Sequence, residues 1–117
     1  MEEIDLTYLE EMSEGDNQLI AEMIDIFIEQ IPEFITQFYN ALEKKDFKKI
    51  SLIAHKAKSS ASVMGLSRLV EKLSNLENEV CENKDLNKAK EIIEHFTNVT
   101  QKAVFDLNII LLKYKKK

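Results

Sequence analysis

Only three of the 117 residues, Gly15, Pro32 and Gly65, belong to the two types that most strongly break regular structure. An all-β chain of this length would need a turn about every ten residues, and such turns draw heavily on glycine and proline. So few breakers leave room for long helices and little else. No segment alternates apolar and polar residues convincingly at a period of two, so no strands are expected.

Apolar residues make up 44% and charged residues 32% of the chain, which suits a folded domain better than a disordered or membrane-embedded one. The length is that of one domain, able to bury a core without disulfides or metal. A net charge of -5 and a pI of about 5.1 argue against nucleic-acid binding, which usually takes a basic surface. Acidic residues begin at Glu2, unlike a signal peptide, and no uncharged apolar run approaches the roughly 20 residues of a membrane helix. The lone cysteine, Cys81, has no internal partner and is read as a small apolar filler in a cytoplasmic protein.

Hydrophobic periodicity divides the chain into five helices. A short first helix from Asp5 to Met12 takes Asp5 as its N-cap and turns Leu6 and Leu9 inward. After Gly15 and Asp16, a long segment from Asn17 to Lys44 carries Leu19, Ile20, Met23, Ile24, Phe27, Ile31, Phe34, Ile35, Phe38 and Leu42 at helical spacing. Pro32 predicts a kink or two abutting helices there. Asp46 caps a third helix from Phe47 to Met64, with an inward stripe of Phe47, Ile50, Ala54, Ala57, Ala61 and Met64, closed by Gly65. A fourth helix spans Ser67 to Glu82, with Leu66, Leu69, Leu73, Leu76 and Val80 on one seam. A fifth begins after Asp85, carries Ala89, Ile92, Ile93, Phe96, Val99, Ala103, Leu107 and Ile110, and ends in a lysine tail. Short connections favour antiparallel neighbours, so the expected fold is an all-α, up-down antiparallel four-helix bundle with a short additional N-terminal helix. It forms one domain over residues 1–117, with a core of about 5–112 and a solvated tail of 113–117. No leftover apolar face is evident, and a monomer is expected.

The third helix stands apart. From Ser59 to Ser62 it reads Ser-Ser-Ala-Ser, a run of mediocre helix formers. Close packing explains Ala54, Ala57 and Ala61, but not Ser59 and Ser62, which lie on another face. At 100° per residue, that face also holds His55, Lys58, Lys48 and Ser51. His55 follows the inward Ala54 and therefore sits at the edge of the core. Small polar neighbours would let a partner approach its imidazole, and Lys58, one turn on, can offset the negative charge of a phosphoryl group.

The run from His55 to Gly65, His-Lys-Ala-Lys-Ser-Ser-Ala-Ser-Val-Met-Gly, resembles the signature of histidine-phosphotransfer (HPt) domains. That signature has leucine two residues after the histidine, lysine three, glycine four, serine five and glycine ten. His55, Lys58, Ser60 and Gly65 match it, while Ala57 stands for the leucine and Ser59 for the first glycine. The Asp5-Leu6 opening, the Phe27 to Pro32 stretch and Leu76-Glu77 also look like the family pattern. Ala57 shrinks the core slightly, whereas Ser59 places a hydroxyl near the histidine.

The resemblance implies a carrier that relays a phosphoryl group between receiver domains of response regulators or hybrid histidine kinases, through phosphohistidine at His55 Nε2. In this family a polar side chain on the following helix bonds Nδ1–H; by position that residue here is Glu77. The resemblance gives Lys58 the phosphoryl oxygens, and leaves Ser51, Ser59, Ser62 and Lys48 to face the partner. Mg²⁺ and the acceptor aspartate belong to the receiver, so no cofactor or metal is expected on this chain. With no nucleotide-binding motif, it carries the group without a kinase site of its own. The competing reading is a helical-bundle adaptor that binds signalling partners without being phosphorylated. His95, lacking comparable neighbours, is read as structural or solvated.

Overall fold

A computed structural model describes residues 2–115. It is all-helical among those residues: α1 Thr7–Met12, α2 Asn17–Glu43, α3 Phe47–Val63, α4 Ser67–Asn75, continued by a π-helical turn over Leu76–Val80, and α5 Leu86–Lys115. α2 packs on α3 and α5, α3 packs on α4 and the π turn, and the turn packs on α5, which closes a four-helix ring. α2 and α5 are much the longest, and beyond α3 and α4 their far ends are joined by α1: Leu9 is fully buried and the Tyr114 hydroxyl donates to Glu10 Oε2 at 3.2 Å. Phe96 on α5 meets Phe38 and Phe34 on α2 edge to face, with centroids 5.2 and 6.5 Å away.

Each helix end has a local cause. Asp16 Oδ1 accepts from the amides of Gln18 and Leu19, Asp46 Oδ1 from Lys49 and Asp85 Oδ1 from Lys88, so three helices start on an aspartate next to them in sequence. α1 starts later than the sequence suggests. Leu6 holds the cap position, and Asp5 instead accepts from the amide and hydroxyl of Thr7, which hold its carboxyl below the usual range. α4 has no cap of its own. Glu2 reaches it from far away in sequence, its two carboxylate oxygens accepting from the amides of Arg68 at 2.7 Å and Leu69 at 2.9 Å.

Four expectations are corrected or narrowed. Of the two outcomes expected at Pro32, two abutting helices are ruled out, because α2 runs on through the proline as one helix. The proline faces solvent, where the carbonyl that loses its partner can be hydrated. The fourth helix is not uniform, because the amide of Cys81 reaches back to the carbonyl of Leu76 in the π turn. α5 outlasts the expected core: Tyr114 is buried and Lys115 lies 3.3 Å from Asp25, while Lys116 and Lys117 fall outside the described residues. An apolar face is also left over, since Phe105, Ile109 and Leu112 form an exposed stripe on α5. No helix among the described residues is long and apolar enough to cross a membrane.

Candidate functional site

α3 hangs in the ring by small residues. Ala54, Ala57 and Ala61 are at most 1% exposed, so neighbouring backbones come close and the opposite face of α3 lies open along its length. His55 projects from that open face with 63% of its side chain exposed. Its Nδ1 lies 2.8 Å from Glu77 Oε2, and Glu77 Oε1 accepts from Lys58 Nζ, also at 2.8 Å. One carboxylate thus ties two residues of α3 that stand one turn apart.

The electrostatics decide the proton positions. The Lys58 hydrogen bond holds the Glu77 carboxyl below the usual carboxylate range against the opposing effect of burial, and His55 adds to the lowering. Glu77 is therefore ionised near neutrality and can only accept. When His55 is neutral, the nitrogen facing Glu77 must carry the proton, and Nε2 is left with its lone pair directed away from the carboxylate.

Of the residues singled out from the sequence, His55, Lys58 and Glu77 are brought together. Ser59, Ser62 and Lys48 are exposed on α3. Ser59 shares a groove with His55, Lys56, Gln30 and Gln37, and Ser62 lines another with Tyr8, Val70 and Ser74. Ser51 departs from the expected outward role. It is half-buried, and its hydroxyl donates to the Glu77 carbonyl at 2.7 Å. Ser60, a motif residue, donates to Gln30 Oε1 at 2.8 Å and ties α3 to α2. Sequence reasoning missed Gln30, and it missed Leu52, which is 60% exposed one turn before His55. The helical wheel carried the signal for Leu52, an apolar residue on the histidine's own face. For Gln30 no local signal existed.

His95 is half-buried on α5; burial, with the nearby charge of Lys72, pushes its imidazole below the ordinary range. Cys81 is buried, and burial raises its thiol to about 11. No group of three or more His, Cys, Asp or Glu side chains among the described residues is gathered as a metal ion would need.

Fold and site together define a helical bundle that displays one exposed imidazole, held at one nitrogen by a buried-edge carboxylate and open at the other. The chain belongs to the Hpt domain family, whose model matches residues 22–106. It is 31% identical over 112 residues to the phosphorelay intermediate protein rdeA of Dictyostelium discoideum, a match covering 96% of this chain and 42% of that protein. The chain thus spans under half the length of that relative. The fold is also that of the crystal structure of histidine-containing phosphotransfer protein B (HptB) from Pseudomonas aeruginosa PAO1, with a TM-score of 0.86, 21% identity and 96% of each chain covered.

Proposed function

We propose that this chain is a phosphorelay carrier that accepts a phosphoryl group on His55 Nε2 from one receiver domain and passes it to another. The observation that carries this reading is the asymmetry of the imidazole, with Nδ1 bonded to an ionised carboxylate and Nε2 facing solvent. Membership in the Hpt family supports it.

In the forward step the Nε2 lone pair attacks the phosphorus of an aspartyl phosphate. The bond from phosphorus to the aspartyl oxygen breaks, and the receiver's carboxylate leaves with that electron pair. The ring keeps its Nδ1 proton and becomes an N-phosphorylated imidazolium, whose positive charge lies against Glu77. The reverse step returns the neutral imidazole. Lys58 has three N–H donors, enough to hold Glu77 and still reach a phosphoryl oxygen. The magnesium ion and the acceptor aspartate are assigned to the receiver.

α3 carries Lys48, Lys49, Lys56 and Lys58 and no acidic residue, in a chain whose net charge is -5. That local excess of positive charge suits an approach to an acidic receiver site. Leu52, beside His55, offers apolar area for docking.

The test is incubation with a phosphorylated receiver domain, followed by a search for acid-labile, alkali-stable label. His55→Gln abolishes the label while helicity stays intact. Label persisting on that variant overturns the site, and no label on the wild type across a panel of receivers supports the adaptor reading instead. Lys58→Ala slows transfer in a domain that still folds; a wild-type rate would remove Lys58 from the mechanism.

A further inference from the structure

We infer that Ser51 is a positioning residue that sets the tautomer of His55, acting through the backbone of Glu77. The inference rests on the phosphocarrier reading for its consequence, but not for its geometry.

A serine inside a helix usually turns its hydroxyl back to the carbonyl four residues earlier on its own helix. Thr97 and Thr100 on α5 do this, donating to Ile93 and Phe96 at 2.9 and 2.7 Å. Ser51 does not. Its hydroxyl crosses to a different helix and donates to the Glu77 carbonyl at 2.7 Å, over a sequence separation of 26 residues. In an α-helix that carbonyl would point along the axis toward an amide of its own helix. Glu77 instead lies in the π-helical turn, where the backbone is wider and the carbonyls are displaced from that ladder.

Glu77 is consequently tied to α3 at three points. Its carbonyl is held by Ser51, its Oε2 by His55 and its Oε1 by Lys58. The three anchors stand at steps of four and three residues, so they form one stripe along α3. A glutamate side chain has three rotatable bonds, and two contacts at its tip leave its root free to drift. Ser51 fixes the root. With the Cα placed, the rotamer that lays Oε2 against Nδ1 is held in register with the imidazole, and the proton stays on Nδ1. Without that tie, the π turn moves relative to α3 and the carboxylate no longer selects the tautomer.

The consequence reaches chemistry because only the form with a free Nε2 lone pair attacks phosphorus. The histidine side chain in water favours the opposite tautomer, with the proton on Nε2, so the protein must impose the reactive one. Ser51 donates its hydroxyl to Glu77 and not to the imidazole, so its effect passes through Glu77.

The experiment is ¹⁵N NMR of the imidazole in the free protein, followed up the pH scale until the ring is neutral, together with the rate of phosphoryl transfer from a phosphorylated receiver. The wild type shows Nδ1 protonated. Ser51→Ala shifts population toward the Nε2–H form and slows transfer by about tenfold, the weight of one hydrogen bond. Ser51→Thr keeps the hydroxyl and restores both. Circular dichroism on each variant confirms the helical fold. An unchanged tautomer in folded Ser51→Ala overturns the inference, whatever happens to the rate. A folded Ser51→Thr that behaves like Ser51→Ala overturns it too, because the hydroxyl would then not be the cause. If the wild type takes no label from any receiver, the carrier reading fails, yet the tautomer measurement still decides the role of Ser51.

Discussion

At residues 44–46 and again at residues 64–66 the chain leaves one helix and enters the next through the same pair of backbone hydrogen bonds. In the first turn the amides of Lys45 and Asp46 reach back to the carbonyls of Leu42 and Ala41, at 3.0 and 2.9 Å. In the second the amides of Gly65 and Leu66 reach back to Ser62 and Ala61, at 3.1 and 3.0 Å. Both are Schellman closures, with the middle residue in the left-handed region at φ 53 for Lys45 and 70 for Gly65. The first turn then supplies its own helix start, Asp46. The second has Leu66 in that place, a fully buried residue with nothing to offer an amide. Glu2 caps the helix instead, and the amide of Asp5 donates to the Met64 carbonyl at 3.0 Å. One end of α3 is therefore held by neighbours in sequence and the other by the start of the chain. Both matter to the site, because α3 carries His55 between them.

The second turn is most sensitive at Gly65. A Cβ added there would collide with the backbone carbonyl and the Cβ of Asp5, on top of the left-handed φ. We expect Gly65→Ala to cost about 3 kcal/mol, the sum of left-handed strain and overpacking against backbone that has little freedom to shift. Chemical denaturation measures it, and a loss under half that size would mean that residues 2–6 are not fixed against the turn.

Removing the caps comes next. Asp46→Ala should lose about 1 kcal/mol, the usual worth of an N-cap side chain. Glu2→Ala should lose less, because ordering a chain end to reach Arg68 and Leu69 offsets part of the gain. Equal losses in the two variants would erase the distinction between local and distant capping. Lys45→Gly should stabilise by about 0.5 kcal/mol, since glycine relieves the left-handed strain but loses more backbone entropy on folding.

The smallest effect is confined to a pH window. Burial and Lys72 lower the His95 imidazole in the folded chain, and Glu2 opposes them by raising it. The unfolded chain then binds more protons, so stability rises with pH. The penalty is absent well above the ordinary histidine value of about 6.5, grows as the pH falls through it, and is complete below the lower folded value. His95→Gln should flatten that part of the stability profile. A slope that survives the substitution would place its source elsewhere.

Much of the architecture was legible because its causes are local. The scarcity of breakers, the aspartates at 16, 46 and 85, and Gly65 mark where helices start and stop, and each acts within about one turn. The face shared by His55, Lys58, Ser59 and Ser62 follows from helical spacing alone. Other features had no such signal. Nothing near Leu76 announces a π turn, because Leu76, Glu77, Asn78, Glu79 and Val80 satisfy an α-helix equally well. The hydroxyl of Ser51 looked outward on a wheel because a wheel does not show which helix lies beside it. The stripe of Phe105, Ile109 and Leu112 lies off the inward set read for the last helix, and only the packing shows that no other helix covers that face.

By itself the sequence determined an all-helical chain, the ends of most helices, and an edge-of-core histidine with a lysine one turn away. Those properties depend on backbone propensity, capping and periodicity, which act over a few residues. The tertiary structure decided that Glu77 meets His55 across 22 residues, that Ser51 holds the backbone of Glu77 across 26, and that Glu2 caps a helix 66 residues away. Those bonds form within about 3 Å, and only the packing register of separate helices brings their partners that close.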